Sequence, residues 1–208
     1  YTKDKIRHAK ITREKTMGTD EIKSCRETWE IMTQLTGKHG SIRNFQQTIR
    51  MDDFVVETEL FPIEALMVYS AWNLEQDISE ENIQAYFSDH RGGSQGDYRA
   101  GMKSKLSNVV DCLKKFPESK RAVLTIPNTA RAHHSSDVEA KCMREIHFYI
   151  EGDTLNATVL FRAQAAEIFP KNIHFIGSML VDVASKLKGN LKPGVVYYLA
   201  TTLVGDRS

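Results

Sequence analysis

The chain has 208 residues, 41% of them hydrophobic and 26% charged, which gives one core of domain size and excludes a disordered or collagen-like chain. Lys plus Arg number 28 against 27 for Asp plus Glu, so no global field draws in a nucleic-acid polymer or an acidic membrane. The apolar runs 122–126 and 195–204 fall short of the ~20 residues of a membrane helix, and the three cysteines, Cys25, Cys112 and Cys142, form no CxxC pair, so neither a zinc site nor a disulfide framework is indicated.

A soluble protein in a reducing, cytoplasmic setting follows as the expectation. Residues 1–18 form a basic N-terminal segment, with Lys3, Lys5, Arg7, Lys10, Arg13 and Lys15 but no apolar middle of a signal peptide. The opening on Tyr1 suits a piece of a longer protein. Residues 19–208 read as a single domain.

Asp20 can cap a helix whose apolar positions Ile22, Cys25, Trp29, Met32 and Leu35 recur at helical spacing until Gly37. From 42 to 60, β-branched and aromatic residues in rough alternation predict two short strands around Asp52 and Asp53. Pro62 suits a first helical turn, and Ile63, Leu66, Met67 and Tyr69 continue into a buried helix with Glu64 in its first turn, where the helix dipole favours a carboxylate. A further helix starts after Ser79 and fades near His90.

Residues 91–95 can only be a loop. After it Met102, Leu106, Val109, Val110, Leu113 and Phe116 trace one helical face that stops at Pro117. A strand follows over 121–126, then a polar loop over 128–139, then a strand pair over 143–150 and 154–162 turning at Gly152 and Asp153. Ile173, Ile176, Leu180, Val183 and Leu187 mark a last helix ended by Gly189, and a strand over 195–204 follows the Pro193–Gly194 turn. Without strict strand–helix alternation, the order points to an α+β fold rather than a doubly wound sheet.

Cys142 lies between Lys141 and Arg144 at a strand start, where cations raise the thiolate fraction and make a nucleophile. The competing reading makes it a small buried hydrophobe, the usual fate of a free cysteine, and Cys25 and Cys112 on apolar helix faces fit that reading better. His133 and His134 with Asp137 read as a solvated loop. Residues 92–96 lack the preceding strand and following Lys-Ser/Thr of a P-loop and read as a connector. Lys114, Lys115, Lys120 and Arg121 around Pro117 read as solvent-facing charge.

Taken as an ordered set, the segments resemble the thymidylate synthase family. Phe116-Pro117-Glu118-Ser119-Lys120-Arg121 is similar to the family's Asn-Pro-Asp-Ser-Arg-Arg, and Lys141-Cys142-Met143 to its Pro-Cys-His. Phe148-Tyr149-Ile150, Phe161-Arg162-Ala163, Lys171-Asn172-Ile173 and Leu191-Lys192-Pro193-Gly194 follow in the family order, so that the likeness spans roughly residues 20–204.

The resemblance implies an α+β fold with a mixed β-sheet packed with helices and the sheet at the two-fold interface of a homodimer with shared active sites. It implies a methylase or hydroxymethylase of nucleotide biosynthesis: the Cys142 thiolate attacks C6 of a pyrimidine nucleotide, and C5 takes a one-carbon unit from 5,10-methylenetetrahydrofolate. By the same likeness Arg162 and Arg121, with Lys120, hold phosphate, Asn172 binds the base edge and tilts the choice toward uracil, Tyr98 lies with the substrate, and Glu64 organises water for proton transfer.

Several positions depart from the family pattern. Met143 stands where the family has histidine, Ala163 where it has serine, Gln164-Ala165-Ala166 where it has a folate-contacting aspartate, and 199–204 lacks the His-x-Tyr that holds the ribose. A second reading therefore stands beside the first: a catalytically inactive relative acting as a nucleotide-binding or dimeric interaction protein.

Overall fold

The computed structural model describes residues 21–86, 97–126 and 141–206. The loops expected at 91–95 and 128–139, with His133, His134 and the glycines of 92–96, lie outside the described residues, as does the basic segment 1–18.

Among the described residues, five α-helices and six strands follow in the order α1 (Cys25–His39), β1 (Ile42–Arg50), α2 (Ile63–Asn73), α3 (Glu80–Tyr86), α4 (Met102–Lys115), β2 (Val123–Thr125), β3 (Met143–Glu151), β4 (Thr154–Phe161), β5 (Gln164–Ala165), α5 (Phe169–Lys186) and β6 (Lys192–Val204). The strands form one mixed sheet in the order β1-β6-β4-β3-β2, with β5 beside β6. The β6–β4 and β5–β6 pairs are parallel and the others antiparallel, so the fold is α+β as expected.

The inner face of the sheet carries Ile146 and Phe148 of β3, Val159 and Phe161 of β4, and Val196 and Tyr198 of β6, all buried. It packs on α5, whose Phe169 ring meets Tyr198 edge-on at 5.6 Å. Helices α1, α2 and α4 all contact α5, and α3 contacts α2, so the helices gather on this side. The alternate residues His147, Tyr149, Thr158, Leu160, Tyr197 and Leu199 point to the other face and are half-buried or exposed, Tyr197 at 52%.

Four boundaries differ from expectation, each for a local reason. Helix α1 begins at Cys25, not after Asp20, because Ser24 and Glu27 form a capping box: Glu27 N donates to Ser24 Oγ at 3.2 Å and Ser24 N to Glu27 Oε2 at 2.8 Å. Lys23 is instead bridged to Ile49, and Ile22 is 50% exposed rather than core.

Instead of two strands around Asp52 and Asp53, there is β1 alone, followed by an irregular segment. Asp52 Oδ1 accepts from Asp53 N and Asp53 Oδ1 from Val55 N, both at 3.0 Å, which diverts the backbone donors from a ladder.

Strand β6 begins at Lys192 and includes Pro193 and Gly194, which were expected to form a turn. Gly194 fits because a Cβ there would stand 2.0 Å from Asn156 Oδ1, the oxygen that accepts from Val195 N. Phe116 lies past the end of α4, 57% exposed, with the Lys115 ammonium over its ring, and Met67 on α2 is 58% exposed.

Candidate functional site

Cys142 immediately precedes β3, where it is half-buried and held by the end of the neighbouring strand. Arg162 N donates to the Cys142 carbonyl at 2.7 Å, and Arg162 Nη2 stands 4.0 Å from Cys142 Sγ. The backbone pairing sets the thiol beside a guanidinium that is itself exposed. Thr201 of β6 donates its hydroxyl to the Arg162 carbonyl, tying this corner to a third strand.

Tyr98 closes the other side. Its hydroxyl accepts from Met143 N at 3.3 Å, its ring stacks parallel to Phe175 of α5 at 6.1 Å, and its backbone N donates to Asn73 Oδ1 at 2.6 Å. Burial, and secondly the neighbouring Cys142, push the Tyr98 phenol well above its ordinary range. Tyr69 and Tyr198 are raised in the same way, by burial first and then by Tyr98 and Cys142. Three phenols thus stay protonated around the thiol, as hydrogen-bond donors rather than as bases.

Asn172 is buried in the first turns of α5. Tyr69 Oη donates to its Oδ1 at 3.3 Å and its Nδ2 donates to Gln164 Oε1 at 2.9 Å. Gln164 Oε1 also accepts from Tyr198 Oη at 2.5 Å. Asn73 Nδ2 donates to the Tyr69 carbonyl at 3.0 Å, so Asn172 is linked through α2 to Tyr98 and the strand start of Cys142. Beside it the Lys171 ammonium, 1% exposed, lies 4.6 Å from the centre of the Tyr69 ring.

Of the residues singled out in the sequence, the fold sets Arg162 against Cys142, places the Tyr98 hydroxyl on the next residue, Met143, and joins Asn172 to Tyr98 through Tyr69 and Asn73. Glu64 is exposed on α2, away from the buried Tyr69 and Asn73, and Lys120 and Arg121 are exposed in the turn before β2. Sequence reasoning did not single out Tyr69, Asn73, Gln164, Lys171 or Tyr198 as site residues. The available signal was polar atoms within otherwise apolar runs: Lys171, Asn172 and His174 all sit within the buried start of α5.

The other two thiols are structural by geometry. Cys25 Sγ donates to the Arg50 carbonyl at 3.6 Å and contacts Met51 Sδ at 3.8 Å, and burial pushes its pKa up to about 12. Cys112 Sγ donates to Ser119 Oγ at 3.2 Å. Among the described residues no three His, Cys, Asp or Glu side chains converge as metal ligands, and no helix is long and apolar enough to cross a membrane.

The stretch where the resemblance expects a folate-contacting acid is Gln164–Ala166, which is buried and carries no carboxylate. These residues do not fit the folate contact, and no step below passes through it.

Together the fold and site define an α+β domain with a candidate cysteine nucleophile beside a buried phenol and amide network. No protein-family model and no curated protein matches the chain.

Proposed function

We propose that the chain activates C5 of a uracil nucleotide or related ring through a covalent adduct of Cys142, as the first stage of a one-carbon transfer of the thymidylate synthase type. The observation that carries this reading is the Cys142 thiol 4.0 Å from the Arg162 guanidinium, with Tyr98 hydrogen-bonded at the next residue.

The thiolate forms the S–C6 bond, and the electron pair of the C5–C6 double bond moves to C5 and O4 as an enolate. Tyr98, whose oxygen already accepts from Met143 N, keeps its own proton to donate toward the adduct. C5 then takes an electrophilic carbon or a solvent proton. Loss of the remaining C5 proton and expulsion of the thiolate restore the ring. Arg162 is exposed beside the thiol, and in this reading its guanidinium fork also takes a substrate phosphate.

In this reading two chains pair through the sheet face that the helices leave open, bearing His147, Tyr149, Leu160 and Tyr197. Lys120 and Arg121, exposed beside the edge strand β2, then reach the partner's site. The non-catalytic alternative is favoured by one feature, the exposure of Glu64 on α2, which leaves proton transfer without the carboxylate that the resemblance implies.

The test is exchange of the C5 hydrogen for deuterium, followed by NMR, across uridine and cytidine nucleotides and their deoxy forms, with Cys142→Ala as control. It needs no carbon donor. Exchange on a uridine nucleotide that disappears in Cys142→Ala is the expected result. Nucleotide binding without exchange on any of them would replace catalysis by the binding-protein reading.

A further inference from the structure

Helix α4 has no cap of its own. Its N-cap is Gly101, in left-handed backbone at φ 69, which brings no side-chain acceptor, and no acid stands in the first turn. The orphan donors at a helix start need an acceptor, and the helix dipole favours an anionic one. Here it comes from the end of α2: Glu75 takes Gly101 N on Oε1 at 3.0 Å and Lys103 N on Oε2 at 2.8 Å. The bond from Lys103 N, with that from Gly101 N, holds the Glu75 carboxyl below the usual carboxylate range.

Glutamate is an unusual residue for this place. Glu75 follows the last turn of α2 in left-handed backbone, φ 57, where helices commonly use glycine because a Cβ is strained there. A glycine would make the same turn and leave α4 uncapped.

The segment that Glu75 fastens carries Tyr98. Asn73 Oδ1 accepts from Tyr98 N at 2.6 Å, and the Trp72 carbonyl accepts from Arg99 Nη1 at 2.9 Å, with the Arg99 guanidinium 4.6 Å from the centre of the Trp72 ring. The end of α2 therefore holds residues 98–103 at the front through Asn73 and Trp72 and at the back through Glu75. At the far side of Tyr98, its hydroxyl meets Met143 N at 3.3 Å, a long bond that a small shift of the segment breaks.

We propose that Glu75 is a positioning residue: by capping α4 from α2 it fixes residues 98–103 and so keeps the Tyr98 hydroxyl on Met143, the residue next to Cys142. The catalytic consequence rests on the uracil-nucleotide reading of the site. A Tyr98 that drifts from Met143 no longer donates to the Cys142 adduct.

Amide hydrogen exchange of the full chain, resolved at Met143 by NMR, reads the Tyr98 bond directly and needs no substrate. Glu75→Gly suits the left-handed backbone and removes both acceptors, so exchange at Met143 should rise about fivefold. Phe148 N, on the same strand and bonded to the Ala122 carbonyl, should keep its rate. Glu75→Gln keeps one acceptor and should give about a twofold rise, which serves as the readout if Glu75→Gly fails to fold. Ser24→Ala, which uncaps α1 instead, should leave Met143 unchanged. In Tyr98→Phe the Met143 amide loses its acceptor outright, and adding Glu75→Gly should change its exchange no further. In the C5 exchange assay with uridine 5′-monophosphate, Glu75→Gly should lower kcat about fivefold at unchanged KM.

A Met143 rate unchanged in the folded Glu75 variants, or one that rises equally at Phe148, overturns the inference and leaves the uracil reading standing. A faster Met143 amide with unchanged kcat overturns the catalytic consequence. A wild type without C5 exchange overturns the reading and that consequence with it, and the amide rates then decide the positioning alone.

Discussion

Cys25 and Cys142 each sit where an element begins, Cys25 at the first residue of α1 and Cys142 one residue before β3, yet their surroundings assign them opposite fates. Cys25 is 1% exposed, turned onto a backbone carbonyl and a methionine sulfur, and burial pushes its pKa up to about 12. Cys142 is half-buried, and a guanidinium faces its sulfur. The lesson is that sealing a polar group in a low-dielectric interior silences it, while partial exposure keeps a thiol within reach of solvent and reagents. The seam between α2 and α5 follows the first pattern as strongly as Cys25 does.

The largest effect expected from sealing concerns His174. Burial holds this imidazole at about 4 rather than 6.5, neutral, with Ser70 Oγ 2.6 Å from its Nδ1. The unfolded chain takes up a proton near pH 6.5 and the folded chain near pH 4, so this contribution is complete above 6.5 and is lost as pH falls toward 4. The loss amounts to roughly 3 kcal/mol. Urea midpoints measured from pH 7.5 down to 4 should fall in the wild type and fall less steeply in His174→Gln.

The same seam leaves no room for growth. A Cβ at Gly177 of α5 would meet the Phe54 ring at 2.2 Å, and Phe54 in turn packs edge-on against His174 at 5.4 Å. Gly177→Ala should therefore destabilise by about 1–3 kcal/mol, despite the better helix propensity of alanine. A thermal melt showing a more stable variant would mean that the seam is looser than its geometry.

At the open site the effects are smaller because solvent screens them. Arg162→Gln should slow alkylation of Cys142 by about three- to tenfold at low salt, with the difference shrinking as salt is added. An unchanged rate would separate the thiol from the guanidinium. Smaller still, Ser24→Ala removes the capping box of α1 at a cost of about 1 kcal/mol. If α1 seals Cys25, fraying of its first turn should raise the alkylation of Cys25 by about fivefold, and leave Cys142 unchanged.

Elements with a single strong signal were legible in the sequence. The face of α4 through Met102, Leu106, Val109 and Leu113, and the β3–β4 hairpin turning at Gly152, lie where periodicity and turn chemistry predict. Boundaries decided by a side chain competing for backbone groups were not. Ser24 with Glu27 moved the start of α1, and Asp52 and Asp53 took the donors a second strand needed.

For the site, local sequence pointed to Cys142, and the family resemblance added Arg162, Tyr98 and Asn172. It could not reveal the bonds from Tyr198 to Gln164 or from Tyr69 to Asn172, which join positions 34 and 103 residues apart. Such contacts have no sequence period, because the parallel β4–β6 crossover and the α2–α5 packing create them.

The most direct measurement of the contrast is the alkylation rate of each of the three thiols in the native protein, resolved by peptide mass mapping, with and without uridine 5′-monophosphate. Cys25, at about 12 against an ordinary 9.0, should react roughly a thousandfold more slowly than an unperturbed thiol. Cys142 should react fastest of the three and be protected by the nucleotide. A Cys142 no faster than Cys112, or one that the nucleotide leaves unprotected, would contradict the account.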